Sequence, residues 1–362
     1  MLTFLRSQDW LLNAAVLFLA VCSLLILSSI STELFIQQVI WFGVGALIVA
    51  VFTLWDWRPL ANYRWAIFLI YLFSILLLAV TYFVAPTIRH AKSWIVIGPV
   101  QLQTSEIAKV TLIILLAYFF AKRHIGIARL GVLAKSFFYF AVPAALVLIQ
   151  PDLGSTLIIF FIWFGFLLVS GIHWRHLLIG LAALLVLLVL AWSFFLKPYQ
   201  KERIIGTINP AYDPLGVNYS VIQSKIAIGS AGFFGKGYKQ GTQVQLGFLP
   251  AAGTDFIFSS FMEEWGLFGG ALVVGVFIFL LLRIIKIGII CHDNFSKLIC
   301  LGTAIMFLAQ FIINMGSALG LLPVIGVTFP FLSYGGSSIL TNAMLIGIIQ
   351  SAVTRSSFVR IR

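Results

Sequence analysis

Long apolar runs separated by short polar gaps dominate the chain, and most runs approach the roughly 20 residues that a helix needs to cross a bilayer. The pattern predicts spans near residues 10–30, 35–55, 65–84, 105–121, 134–149, 155–172, 176–196, 263–285, 298–316 and 338–354, the fourth to sixth being short. The expected fold class is an all-α polytopic membrane protein of about ten transmembrane helices. No internal repeat or low-complexity linker divides the chain, so residues 1–362 are expected to form one membrane domain.

Two gaps break this rhythm. Residues 85–104 are moderately long, and residues 197–254 form one long loop before the eighth span. Long connections in a compact protein more often carry function than fill space. Within 197–254, Tyr199, Lys201, Arg203, Asp213, Lys225, Lys236 and a series of glycines replace the aliphatic pattern. The segment NYSVIQSKIAIG at 218–229 places Val221, Ile222, Ile226 and Ile228 at spacings that fit an amphipathic helix lying along the bilayer surface. The glycine-rich SAGFFGKGYKQGTQ that follows reads as a tight turn or phosphate-approaching loop, with a plain surface loop equally compatible.

Composition and charge refine the picture. With 61% apolar and 9% charged residues, an ordinary water-facing surface is excluded. The net charge of +12 raises the question of nucleic acid, yet the basic residues form no run with interleaved aromatics, so no nucleic-acid partner is expected. They follow topology instead. With the N-terminus in the cytoplasm, Arg6, Arg58, Arg64, Lys122, Arg123, Arg283, Lys286, Lys297 and Arg355 fall inside, while the gaps 31–34, 150–154 and 317–337 hold no Lys or Arg. This bias predicts both termini in the cytoplasm and the long loop outside. Arg89, Lys92 and the basic residues of the long loop run against it. The first apolar run lacks a convincing cleavage site and is read as an anchor. Cys22, Cys291 and Cys300 show no CxxC or Cys/His spacing, so neither a disulfide framework nor a zinc site is expected.

Ionisable residues in or beside spans are the candidates for chemistry, because an unpaired charge in hydrocarbon is costly. Glu106 and Lys109 stand at i, i+3 at the start of the fourth span, which suits a structural ion pair and leaves substrate contact as the alternative. Asp255, where the long loop re-enters the membrane, either caps the next helix or serves as a general base. Glu263 and Glu264 follow about two turns on, either as a solvated span end or facing the same cavity. Asp152 in QPDLGS suits a helix cap. Arg203, Lys225 and Lys236 read as solvated loop residues or as contacts for an anionic ligand. Walker A, GxGxxG and HExxH motifs are all absent, so a reaction here needs a substrate that is already activated.

The motifs QTSEIAK at 103–109, QPDLGS at 150–155, YQKERI at 199–204, DPLGVNYSVIQSKIAIGSAGFFGKGY at 213–238, QGTQVQL at 240–246, TDFIF at 254–258, EEWGLFG at 263–269 and PFLSYGGSS at 330–338 together resemble the SEDS family of shape, elongation, division and sporulation proteins. The stretch QSKIAIGS…GKG…QGTQ looks more like the RodA branch than the FtsW branch. The resemblance implies a peptidoglycan glycosyltransferase that polymerises lipid II at the outer face of the cytoplasmic membrane. It also implies a class B penicillin-binding protein as transpeptidase partner, with membrane lipids around it and a divalent cation, Mg or Mn, as a possible cofactor. Carried over to this chain, it implies that Asp255 is the general base, that Glu106 and Lys109 are the intramembrane pair, and that Asp152, Arg203, Lys225, Lys236, Glu263, Ser333 and Tyr334 bind substrate or support the site. The chain departs from the family pattern at Ala251 and Gly253, where a glutamate and often a histidine are usual, and at Ser93 and Thr104. The rival class is a lipid II flippase or other transporter, since many spans with intramembrane charges suit either.

Overall fold

The computed structural model describes residues 8–86, 92–98, 100–122, 130–171, 174, 178, 180, 192–193, 197–209 and 211–359. Helices α1 (Trp10–Ile30), α2 (Thr32–Leu54), α3 (Arg64–Val84), α4 (Thr104–Ala121), α5 (Leu130–Ile149) and α6 (Leu153–Val169) precede three shorter helices, α7 (Pro198–Ile208), α8 (Tyr219–Ser230) and α9 (Thr242–Gln245). Helices α10 (Ile257–Ile290), α11 (Asn294–Ala318) and α12 (Gly336–Val359) complete the order. Among the described residues, eight helices are long and apolar enough to cross a membrane, and α6, at 17 residues, is a shorter apolar helix. These account for nine of the ten predicted spans; the seventh, 176–196, lies outside the described residues apart from 178, 180 and 192–193.

The helices form because an apolar chain in lipid must satisfy its backbone internally. Aspartates mark three of the starts: Asp9 accepts Leu12 N–H at 2.9 Å, Asp152 accepts Ser155 N–H at 2.9 Å, and Asp293 accepts Ser296 N–H at 2.7 Å. Helix α4 lies at the centre, with 83% of its apolar window buried against 11% for α2. Around it, α3, α6, α11 and α12 pack to form one large core, to which α1 and α10 add their inner faces. The chain between α3 and α4 contains a feature that hydropathy does not reveal. Strands β1 (Trp94–Ile97) and β2 (Val100–Gln103) pair antiparallel, from Trp94↔Gln103 to Ile97↔Val100, and β2 runs directly into α4.

The long loop and the β-hairpin sit at one end of the bundle, the loop end. The opposite end holds the described termini: Asp9 and Gln350 exchange two hydrogen bonds of 2.9 Å, and the Asp9 carboxylate pairs with Arg283 at 2.6 Å.

The eighth span differs from its prediction. Helix α10 runs for 34 residues rather than over 263–285, and its backbone breaks at Gly266, with φ 71° and ψ −172°. The break frees backbone groups that the glycine-rich stretch satisfies. Lys236 N–H and Gly237 N–H donate to the carbonyls of Glu263 and Glu264, and Leu267 N–H and Phe268 N–H donate to those of Gly232 and Phe233, all at 3.0 Å. Gly235 and Gly266 face each other so closely that a Cβ on Gly266 would fall 2.2 Å from Gly235 N. The glycines therefore serve approach to a broken helix, where a phosphate had been the alternative.

Helix α8 forms as the spacing predicted, and its small residues make the face packed on the bundle. Ser224 and Ala227 are buried against α10 and α11, while Ile226 is 44% exposed. The Ser224 hydroxyl lies 2.7 Å from Ser259 Oγ and donates to Ala318 O at 2.6 Å. Small residues let the backbones come close, which the isoleucines would prevent.

Candidate active site at the loop end

The chain enters α10 through a tight turn in which Thr254 N–H and Phe256 N–H both donate to Ala251 O, at 3.0 and 3.3 Å. Phe256, not Asp255, is the N-cap residue, and its side chain makes no capping hydrogen bond. The Asp255 side chain is half-buried. Distant segments grip the backbone around it. Gly253 O accepts Tyr334 N–H at 2.8 Å, Thr254 O accepts the Ser333 hydroxyl at 2.7 Å, and Asp255 O accepts Asn314 Nδ2 at 3.1 Å. Each gripping residue is itself held. Ser333 Oγ accepts Phe329 N–H at 2.9 Å, Ser333 O accepts Gln38 Nε2 at 3.2 Å, and Asn314 Nδ2 also reaches Val327 O at 2.8 Å. The Tyr334 hydroxyl donates to Gln37 Oε1. Burial, together with the nearby Glu33 carboxylate, pushes the Tyr334 phenol up, so it remains a donor. Three successive carbonyls are thus tied to α11 and to the segment before α12, which leaves the Asp255 side chain presented on a fixed turn.

Neither Ala251 nor Gly253 supplies a second polar group here. A Cβ on Gly253 would meet Leu27 at 3.1 Å and Leu34 at 3.4 Å, so α1 and α2 close that side.

Glu263 and Glu264 are not a solvated span end, because both are buried at 0% and 1% exposure. Glu263 Oε1 accepts Lys236 Nζ at 2.7 Å and Gln243 N–H at 3.0 Å, and Oε2 accepts Val244 N–H at 3.3 Å. Glu264 Oε1 accepts the Ser29 hydroxyl, which also receives Gln245 Nε2 at 2.9 Å. Buried charge at this depth demands such partners. Lys236, a candidate for an anionic ligand, is thus engaged by Glu263. Arg203 donates to Val324 O at 2.8 Å across the loop end, and Lys225 is exposed on α8.

Deeper in the bundle, Lys109 Nζ lies 2.6 Å from Glu106 Oε1, both residues being buried on α4, and Thr341 of α12 donates to Glu106 Oε2 at 3.3 Å. Asp152 caps α6 and also accepts Gln103 Nε2 at 3.0 Å, joining the hairpin to that helix. The gripping residues Asn314 and Gln38, and Ser29 beside Glu264, escaped the sequence reading. The available signal was an amide or hydroxyl inside an apolar run, which marks interhelical glue without naming its partner.

The family model for FtsW, RodA and SpoVE, described as cell cycle protein, matches residues 6–357. Peptidoglycan glycosyltransferase MrdB of Escherichia coli (strain K12) is 36% identical over 321 residues, covering 86% of this chain and 83% of its own. A chain of a peptidoglycan synthase complex, studied for structural coordination of polymerization and crosslinking, superposes with a TM-score of 0.83 at 34% identity, covering 96% of this chain and 98% of that one. Rod shape determining protein RodA of Thermus thermophilus gives a TM-score of 0.72 at 30% identity, over 96% and 97% of the two chains. Matched along nearly its whole length in sequence and in structure, the chain belongs to the FtsW, RodA and SpoVE family of cell cycle proteins.

Proposed function

We propose that this protein is a peptidoglycan glycosyltransferase that polymerises lipid II at the outer face of the cytoplasmic membrane during cell elongation, with Asp255 as general base. The observation that carries the reading is the gripped turn, which presents a half-buried carboxylate at the loop end in a chain whose relatives include a peptidoglycan glycosyltransferase. Asp255 takes the proton from the 4-hydroxyl of the acceptor sugar. The oxygen attacks the anomeric carbon of the donor as the bond to the polyprenyl pyrophosphate breaks, which inverts that carbon. Fixing the turn keeps the base within reach of the hydroxyl without reorganisation at the moment of reaction.

The orientation follows the charge bias. Arg58, Arg283 and Arg355 lie at the end opposite the long loop, which suits a cytoplasmic face there, with both termini, and an outer loop end. Arg203 and Lys225 are the predicted loop cations not engaged by a carboxylate among the described residues; Arg203 suits the developing negative charge of the leaving group, and Lys225 suits an acidic part of the substrate away from the reacting bond. A class B penicillin-binding protein is the proposed partner, supported by the likeness to a complex that couples polymerization and crosslinking. No three His, Cys, Asp or Glu side chains cluster among the described residues, and Ala251 and Gly253 add no ligand atoms beyond their backbone, so a Mg or Mn ion here would be held by Asp255 together with the phosphates of the substrate.

The purified protein with its partner should convert labelled lipid II into glycan strands, and Asp255→Asn should lower the rate at least about a hundredfold without shifting thermal unfolding. Strands made at the normal rate by that variant would remove Asp255 as the base. Movement of lipid II across liposomes with no polymer formed would favour the transporter.

A further inference from the structure

A cavity of about 250 Å³ opens at the loop end between α7, α8 and the turn after α11. Its walls are Val221 and Ile222, with Thr207 and Asn218 as polar edges, Gly320 as floor and Lys225 as its one charge. The cavity is braced rather than collapsed, because Asn218 Nδ2 donates to Gly206 O at 3.1 Å and to Tyr212 O at 2.7 Å, tying α7 to the start of α8. Lys225 differs from Lys236 and Arg203 in what its ammonium meets. Lys236 is neutralised by Glu263 and Arg203 is drawn to Val324 O, whereas no ion pair among the described residues includes Lys225. Its stem lies on the backbone of Gly320, where a Cβ would fall 2.4 Å from Cε and 2.6 Å from Nζ. Gly320 also holds φ at 70°, so this floor is built for glycine.

The cavity wall and the turn that carries Asp255 share a packed core. Val221 packs on the small core of Val244, Leu249, Ala252, Phe256 and Ala318, and Phe256 is the neighbour of Asp255. Val221 therefore shares a packed cluster with the residue next to Asp255.

We propose that the cavity seats the peptide arm of the lipid-linked sugar, with a peptide carboxylate on Lys225; the inference rests on the reading of this chain as a lipid II polymerase. A pyrophosphate carries several charges and calls for converging donors such as an Arg fork or a run of backbone N–H groups. This cavity offers one ammonium, a point charge, between aliphatic walls. That chemistry matches a single carboxylate on a chain with small aliphatic side chains.

The test uses the full protein with its partner in liposomes and two forms of lipid II, one with free peptide carboxylates and one with all of them amidated. Wild type should polymerise both, with KM about tenfold lower for the free-carboxylate form, as expected for one hydrogen bond to a charged group. Lys225→Gln should abolish that preference while kcat changes by less than about twofold, and Lys225→Arg should retain it. Gly320→Ala, which presses on the lysine stem, should weaken the preference as well. Equal loss on both forms, a wild type without preference, or an effect that vanishes when the partner is omitted would overturn the cavity assignment. A wild type that forms no polymer from either substrate would overturn the polymerase reading too, so the two failures are distinguishable.

Discussion

The two ends of the bundle both hold carboxylates paired with cations, yet the pairs do different work. At the loop end, Glu263 is fully buried and binds backbone N–H groups as well as Lys236, so it holds a loop against a broken helix. At the opposite end, Asp9 pairs with Arg283 and links α1 to α10, while Asp56 is shared by Arg58 and Arg355 at 29–39% side-chain exposure. The Asp9–Arg283 and Asp56–Arg355 pairs lie where helices already pack along their lengths, α1 on α10 and α2 on α12. A charge that organises irregular backbone is irreplaceable in a way that a charge between regular helices is not, because no other contact specifies the irregular path.

The strongest perturbation lies between the ends. Lys109→Ala leaves the buried Glu106 without its cation and should cost about 3–5 kcal/mol, whereas Glu106→Gln with Lys109→Met should cost clearly less. Thermal unfolding in detergent reads both, and equal damage would point to a direct ligand role for the pair.

Gly266→Ala comes next. The residue sits in a glycine-only region of φ, ψ, and its Cβ would strike Gly235 N and Phe233 O at 2.2 and 2.4 Å. The strain alone is about 1–3 kcal/mol, before the clash, and polymerisation should fall with it as the loop detaches. Gly275→Ala on the same helix has nothing within 4 Å of the added methyl and serves as the neutral control. If both variants behave alike, the break does not organise the loop.

A direct comparison of the ends pairs Glu263→Gln with Asp9→Asn. Each variant weakens hydrogen bonds to a charged partner worth about 1.5–3 kcal/mol, but only Glu263→Gln should reduce the polymerisation rate of the protein that remains folded. Activity normalised to folded protein decides this, and matching rates would erase the distinction.

The smallest effect belongs to Asp56. Burial pushes its carboxyl up, but hydrogen bonds from Arg58 and the charges of Arg58 and Arg355 outweigh this and hold it below its usual value. A depressed folded-state value stabilises above the unfolded pKa, near 3.9, and the stabilisation disappears as pH falls through the folded one. Asp56→Asn should therefore lower stability by at most about 1 kcal/mol at neutral pH, after solvent screening, and the difference should shrink in acid. Unfolding temperatures at pH 7 and near pH 3 measure it.

Hydropathy and spacing alone determined most of the spans described here, the eighth excepted, and the i, i+3 partnership of Glu106 with Lys109, because each is a property of neighbours on one helix or of its solvent. The motifs determined the family. What holds Asp255 in place was decided only by the tertiary structure. Its turn is gripped by Asn314 and Ser333, and the bonds to the backbone at 255 and 254 span 59 and 79 positions of chain. Gly266 and Gly275 are the same letter on the same helix, yet one sits where Gly235 presses against it and the other faces open space. Glu263 read locally as a span end because its partners Lys236, Gln243 and Val244 arrive from a separate loop. Periodicity reports which solvent a side chain prefers, whereas a buried polar group is defined by whichever distant segment folds against it.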